Sequence, residues 1–439
     1  MAASETRHFH DAPRQKDLDR CVHCGLCLNA CPTYRELGVE MDSPRGRIYQ
    51  MVQVATGQAK INPDYILHLD LCLACRGCET ACPSGVEYGR LIEAARAEIV
   101  QNTPASLRTR LIRSAVFKHL LPSRSNLKLA GAMLYLYQAS GLQKLVRSSG
   151  ILELLGPLGK AERLTPAVQT PSFYRFYGKV LPAEGRQKYR VAVLGGCIAN
   201  ICFARLNEAT VRVLQKNGCE VSIPDQQTCC GALHVHAGLK HEARKLARRN
   251  IDTLLAGNYD AIITNAAGCG STLKEYDELL EEDTEYAANA MRFKTLMKDV
   301  TEFLASIELN PELGALPYKL TYQDSCHLAH GQKIKAAPRS LLRAVPGITF
   351  REMPMADLCC GSAGIYNVVH NDMSMQILER KMQNVNSVNP DVIATANPGC
   401  MLQLEAGARM YGRGQRVAHV VEILDESYRA WSGAPPQSA

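Results

Sequence analysis

The sequence predicts an α+β protein: a mainly helical, cysteine-bearing domain at the amino end, followed by a duplicated α/β region that is also rich in cysteine. Three observations predict it. Cys21, Cys24, Cys27 and Cys31 stand as C-x2-C-x2-C-x3-C-P, and Cys72, Cys75, Cys78 and Cys82 repeat that spacing, each set closing on a proline (Pro32, Pro83). The stretch between and just after these runs has helical rather than alternating periodicity. From Tyr189 onward, short apolar runs bounded by Gly and Cys alternate with amphipathic helices, the signature of layered α/β structure with parallel strands.

The paired runs call for two iron–sulfur clusters. A [4Fe-4S] cube presents four separate corners, so two-residue gaps let one tight turn of backbone place three thiolates on three irons while the fourth arrives from elsewhere. In the bacterial two-cluster ferredoxin pattern the fourth Cys ligates the other cluster. One cube is therefore expected on Cys21, Cys24, Cys27 and Cys82, and the second on Cys72, Cys75, Cys78 and Cys31. Zinc makes little use of a third, evenly spaced Cys. A disulfide framework does not suit 18 Cys spread over 439 residues, and residues 1–10 (MAASETRHFH) show no apolar leader, so a reducing compartment is expected.

Length and composition bound the rest. With 439 residues, 46% of them hydrophobic, the chain can build two or three domains, and it has no apolar run of about 18 or more residues that would cross a membrane. Charge is uneven. Between residues 101 and 190, fifteen Lys and Arg face three acids, Glu153, Glu162 and Glu184. That stretch carries no zinc-finger or RNA-recognition motif, and its aromatics (Tyr135, Tyr137, Phe173, Tyr174, Phe176, Tyr177) follow no Gly-rich pattern, so nucleic acid is not expected as a partner. Anionic lipid headgroups, an acidic partner subunit and an ordinary solvated linker remain as readings.

In chain order, residues 1–100 are expected to form the two-cluster domain, with a forty-residue insert between the Cys runs that becomes helical at 48–55 and a further helix at 91–100. Arg45, Arg47, Arg76 and Arg90 lie near the runs and could offset the negative charge of thiolate-ligated cubes, or be ordinary exposed arginines. Residues 101–187 read as a basic, mostly helical connecting segment broken by Pro104, Pro122, Pro157, Pro166, Pro171 and Pro182. Strands are expected at 191–194, 220–223 and 261–264, with helices at 206–216 and 241–255.

The second half repeats, as modules 188–310 and 311–439. Cys197, Cys229-Cys230-Gly231 and Cys269 return as Cys326, Cys359-Cys360-Gly361 and Cys400 at offsets of 129, 130 and 131. In each copy the Cys follow predicted strands, where open α/β sheets gather their sites, so each set of four is expected to converge. Such a set could hold a further cluster or zinc, or be buried metal-free thiols. His234, His236, His327 and His330 stand beside these modules as candidate iron ligands or proton carriers, or as plain hydrogen-bonding residues. Cys202 and Cys219 have no counterparts in the second copy and read as packing residues.

The tandem CVHCGLCLNACP and CLACRGCETACP, followed by TCCGALHVHAG and LCCGSAGIYNV, resembles the iron–sulfur subunits of bacterial glycolate oxidase. The resemblance implies two [4Fe-4S] clusters with one or two more in the CCG modules. It also implies that separate FAD-bearing flavoprotein subunits oxidise glycolate, and that this chain passes the electrons toward quinone or another membrane acceptor from the inner, cytoplasmic face of the membrane. Similar subunits serve D-lactate and glycerol-3-phosphate dehydrogenases, and the CCG module recurs in heterodisulfide reductase. There each module ends in C-P-x-C. Here the endings are Ala266-Ala267-Gly268-Cys269 and Asn397-Pro398-Gly399-Cys400, one Cys short, which weighs against a thiol–disulfide enzyme. A redox sensor would need an output domain, and none is visible. No G-x-G-x-x-G opens a helix after a strand, so the chain is expected to bind no flavin or nicotinamide and to have no catalytic residues of its own for substrate oxidation.

Overall fold

The computed structural model describes residues 11–433 apart from 157, 158, 160, 161 and 164. The expectation for residues 1–10 and the break at Pro157 lie outside the described residues. In the insert between the two cysteine runs, the two longer helices each begin on a proline behind a capping side chain. Pro44–Ala55 opens on Ser43, whose Oγ accepts the Gly46 N–H at 3.0 Å, and Pro63–Asp70 opens on Asn62, whose Oδ1 accepts the Tyr65 N–H at 2.8 Å. Proline suits a first turn, where its missing N–H would have no partner. This start sets the first helix four residues ahead of the expected 48–55 stretch. Helix Tyr88–Asn102 closes the domain by burying Leu91, Ile92 and Ala95 against Leu18, Ile48, Met51 and Leu69.

The basic segment supplies helices Leu107–Arg113, Arg124–Ala139 and Leu142–Ser148, then a strand the sequence pattern did not signal, β1 (Lys179–Leu181). It joins the first sheet, made with β2 (Tyr189–Val193), β3 (Cys219–Ile223), β4 (Ala261–Thr264) and β5 (Met297–Asp299) in the order β1-β3-β2-β4-β5. β1 runs antiparallel to β3 while β2 to β5 are parallel, so the strands from Tyr189 onward are parallel as expected and the antiparallel edge comes from the segment before them. The added strand covers an edge of β3 that would otherwise present unpaired backbone groups.

The second sheet holds β6 (Lys319–Tyr322), β7 (Thr349–Phe350), β8 (Val392–Thr395) and β9 (Arg416–His419), parallel in the order β7-β6-β8-β9. Strands β3-β2-β4-β5 follow the same order, so the repeat in sequence is a repeat of topology. The central strands β4 and β8 are buried along their whole length, as parallel strands covered on both faces must be. One core spans both copies: Leu206, Val213 and Leu214 of helix Ala204–Lys216 belong with Val421 and Leu424 of helix Val420–Ala430. Arg212 clamps that junction with two 2.8 Å hydrogen bonds to Asp425.

Candidate metal centres

The two N-terminal runs wrap in the same way. His23 and Gly25 in the first, and Ala74 and Arg76 in the second, have φ of 54°, 83°, 51° and 63°. Non-glycine residues avoid this left-handed region at a cost of roughly 1–2 kcal/mol each, so its use at matching places marks a backbone held to a purpose. The wrap turns the Ala74 N–H onto Cys72 Sγ at 3.4 Å.

The eight thiols fall into two groups. Cys21 lies within electrostatic reach of Cys82 and Cys24, and Cys27 within reach of Cys21 and Cys31. Cys78 lies with Cys75, Cys72 and Cys31. Cys82 thus lies near Cys21 of the other run, and Cys31 near Cys75 and Cys78 of the other run as well as Cys27 of its own. The groups differ in depth: Cys24 is exposed, whereas Cys31, Cys72 and Cys78 are buried. Burial pushes the Cys27 thiol up to about 11, and burial followed by neighbouring sulfurs raises Cys75 and Cys78.

Of the four arginines near the runs, one is built into this interior. Arg47 is 1% exposed, with Nη1 at 3.9 Å from Cys31 Sγ, and it donates to Thr33 Oγ1 at 3.1 Å, Asp42 Oδ1 at 3.3 Å and the His68 carbonyl at 2.6 Å. Desolvation opposes its charge, but Cys72, Tyr88, Cys31 and Asp42 outweigh that and raise its pKa. Arg45 pairs with Glu40, Arg76 with Glu79 and Glu275, and Arg90 with Glu281.

In the α/β modules the third letter of Cys-Cys-Gly has a physical cause. Gly231 and Gly361 have φ of 85° and 91°, and that turn brings their N–H groups onto Cys229 Sγ at 3.5 Å and Cys359 Sγ at 3.4 Å. The thiols of each copy then link in series. Cys197 meets Cys229, Cys229 meets Cys230 and Cys230 meets Cys269; Cys326 meets Cys359, Cys359 meets Cys360 and Cys360 meets Cys400. Hydrogen bonding from the adjacent thiol, then burial, raises Cys197, Cys359 and Cys400. Among the described residues, no three Cys, His, Asp or Glu converge tightly enough to hold a single ion.

The donor chemistry fits multi-iron centres in all four groups. A buried thiol surrounded by thiols resists deprotonation, and cationic iron is what makes burial as thiolate favourable. The second and fourth groups also touch: Cys75 lies within electrostatic reach of both Cys359 and Cys326, across a contact made by Leu73, Tyr366 and Ile377.

The four candidate histidines take a different role. His234 Nε2 bonds the Phe117 carbonyl at 2.8 Å, and His236 Nδ1 bonds Glu93 at 3.0 Å. His327 Nε2 bonds the Ala74 carbonyl at 3.0 Å, and His330 lies 2.7 Å from Thr80 Oγ1 and 2.9 Å from the Asp357 carbonyl. They join the modules to the segments before them, so the plain hydrogen-bonding reading describes them. Burial drops His327 to about 3, keeping it neutral. Arg96 adds to that junction by donating to the carbonyls of Cys72 and His236, and Gly238, at φ 74°, lets the chain pass where a Cβ would lie 2.4 Å from the Arg96 carbonyl. Cys202 and Cys219 sit in the shared core.

Two residues beside the thiols escaped the sequence reading. Lys381, 2% exposed, donates to the carbonyls of Met355 at 2.7 Å and Ala356 at 3.3 Å while lying near Cys360 and Cys359. Asn397 donates to Cys400 Sγ at 3.4 Å and accepts the Gly268 N–H at 3.4 Å. Extending the 131-residue register to the helices behind each motif would have raised both, since it pairs them with Asn250 and Ala266.

Comparison with known proteins follows the same layout. Residues 17–86 match the model of a 4Fe-4S dicluster domain, and residues 191–274 and 320–405 match that of the cysteine-rich CCG domain. Residues 108–165 match the linker region of the glycolate oxidase iron-sulfur subunit. Such a combination defines an iron–sulfur electron-transfer protein with at least two [4Fe-4S] clusters. The chain is 43% identical over 425 residues to a probable glycolate oxidase iron-sulfur subunit of Bacillus subtilis (strain 168), covering 95% of this chain and 96% of that relative. It is 33% identical over 422 residues to the glycolate oxidase iron-sulfur subunit of Escherichia coli (strain K12), covering 93% and 94%. The chain belongs to the family of glycolate oxidase iron-sulfur subunits, and is thus an electron-transfer subunit of an oxidoreductase complex. Lactate utilization protein A of Geobacillus sp. (strain WCH70) is 29% identical over 237 residues, 54% of this chain and 99% of that protein. A crystal structure of a hypothetical protein from Helicobacter pylori shares the fold, with TM-score 0.53 and 10% identity over 88% of this chain and 68% of that one.

Proposed function

We propose that this chain carries electrons from FAD-bearing flavoprotein subunits that oxidise glycolate to glyoxylate, and delivers them toward quinone at the inner face of the cell membrane. The proposed ligand sets are Cys21, Cys24, Cys27 and Cys82 for one cube and Cys72, Cys75, Cys78 and Cys31 for the other. Cys197, Cys229, Cys230 and Cys269, and Cys326, Cys359, Cys360 and Cys400, are the proposed sites of additional centres. Clusters at such sites supply one-electron storage; the chain's residues insulate, space and charge-balance them. The observation that carries this reading is Cys75, which borders both its own group and Cys359, so a path leads from the exposed Cys24 edge inward to the second CCG module. Glycolate is favoured over lactate because the glycolate-named relatives match nearly the whole chain and the lactate-named one about half.

The test uses the full chain, reconstituted with iron and sulfide, with and without its flavoprotein partners. Alone it should not oxidise glycolate, since hydride chemistry belongs to the flavin. With partners present, Cys75→Ser should leave flavin reduction by glycolate intact and slow reduction of a quinone analogue by at least about a hundredfold, roughly 2.7 kcal/mol of barrier. Glycolate turnover by the isolated chain, or wild-type quinone reduction in Cys75→Ser, would overturn the reading.

A further inference from the structure

Helix Arg124–Ala139 has two unlike faces. One is turned inward: Leu127 and Gly131 are buried, a Cβ at Gly131 would lie 2.9 Å from Ile201 of the first module, and Gln138 bonds the Pro166 carbonyl and the Val168 N–H of the connecting segment at 2.9 Å each. The other carries Leu129, Met133 and Leu136, spaced four and three residues apart, and 62%, 64% and 66% exposed. That spacing makes one outward stripe. Neighbouring helices add Leu107, Leu111 and Ile112, then Leu142 and Leu145, and the short helix Ile151–Leu154 with its C-cap adds Ile151, Leu154 and Leu155. Among the described residues, twelve of the 26 exposed large apolar residues fall between 107 and 155, a concentration unlike the scattered exposure normal for a protein surface.

Charge selects the partner. Arg108, Arg110, Lys128 and Lys144 are exposed on the same helices. The three acids between residues 101 and 190 are each already matched, Glu153 by Arg163, Glu162 by Arg147 and Glu184 by Lys216. Apolar side chains among exposed cations, of which Lys128 also lies over the Tyr174 ring, fit the boundary of an anionic bilayer, where Leu and Met enter the acyl region and Lys and Arg meet phosphate. No helix among the described residues is long and apolar enough to cross a membrane, so a layer of this kind lies in the plane. We propose that helices 107–155 form the face by which this chain docks on anionic phospholipid; the choice of partner rests on the reading that electrons leave toward a membrane.

The reconstituted full chain is sedimented with vesicles of phosphatidylcholine, alone or with about a third phosphatidylglycerol. Wild type should bind the anionic vesicles at least about tenfold more tightly than the neutral ones, and less so in high salt. The triple variant Leu129→Asn, Met133→Asn, Leu136→Asn should lose about tenfold or more of that binding, and so should Lys128→Gln with Lys144→Gln. All five positions are exposed, so iron content should match wild type. Absence of binding to anionic vesicles, or unchanged binding in both variants, overturns the proposal. Loss of binding to the purified flavoprotein subunits in the triple variant, with vesicle binding intact, overturns it in favour of a protein interface. Failure of the electron-transfer reading shows separately, as lost reduction of a soluble quinone analogue without vesicles.

Discussion

Asn250 in the first CCG module and Lys381 in the second occupy the same place on the helix behind the motif: Ala243 faces Gly231 and Ser374 faces Gly361, and both helix pairs, Ala243 with Ser374 and Asn250 with Lys381, are 131 residues apart. Asn250 is spent on neutral backbone and phenol partners, accepting the Thr228 N–H at 2.9 Å and donating to the Cys229 carbonyl at 3.0 Å and Tyr276 at 3.1 Å. Lys381 instead buries an ammonium beside Cys360 and Cys359. Asn397 gives Cys400 a donor where the first copy has Ala266, and Cys75 of the dicluster domain touches the second set. Identical strand order thus frames two different electrostatic environments. Net charge and hydrogen bonds to sulfur set the reduction potential of an iron–sulfur centre, so a centre held by the second set would have the higher potential of the two.

The largest effect expected from breaking this asymmetry is at Lys381. Lys381→Met should lower the potential of the second module's centre by about 60 mV or more, a tenfold change for one electron. It should also weaken iron retention there by about 10–100-fold, as loss of an outer partner does at other metal sites. Redox-poised spectroscopy and iron analysis measure both, and a centre indifferent to Lys381→Met would erase the distinction between the copies.

A sharper comparison lies in the two motif glycines. Both need positive φ, which costs an alanine roughly 1–2 kcal/mol. At Gly361 the added Cβ would also lie 2.6 Å from the Ser374 carbonyl, whereas at Gly231 the nearest atom is 3.6 Å away. Gly361→Ala should therefore destabilise by about 1–3 kcal/mol more than Gly231→Ala, read from denaturant midpoints. Equal losses would mean that the second module yields at Ser374.

The smallest effect compares the helix caps after β5 and β9. Burial raises the Asp299 carboxyl from 3.8 to about 6, so its contribution is present below pH 3.8 and is lost as pH rises to about 6. Burial lowers His419 from 6.5 to about 4, so its contribution is present above pH 6.5 and is lost as pH falls to about 4. Asp299→Asn should gain about 1–2 kcal/mol at pH 7.5, and His419→Asn a similar amount at pH 4.5. Melting temperatures across pH 4.5–7.5 check whether the two slopes have opposite sign.

What the sequence determined by itself is local. Two-residue gaps between thiols, Ser43-Pro44 and Asn62-Pro63 at helix starts, and alternation of short apolar runs with amphipathic helices depend on neighbours a few residues apart, so the helical domain, the strands near 191, 220 and 261 and the duplication were legible. The Cys register showed that two sites repeat. It did not show that they differ, because the pairing of Asn250 with Lys381 appears only when the register is carried past the Cys into the helices behind the motifs, and what each side chain touches appears only once those helices pack. Tertiary structure alone decided that β1 turns back as an antiparallel edge, that Arg47 among four arginines enters the interior, and that the histidines join segments as distant as Ala74 and His327. It also decided that Cys75 faces Cys359. Each depends on burial and contact between residues far apart in the chain, and those set charge and hydrogen bonding at the sulfurs in a way that no spacing along the sequence encodes.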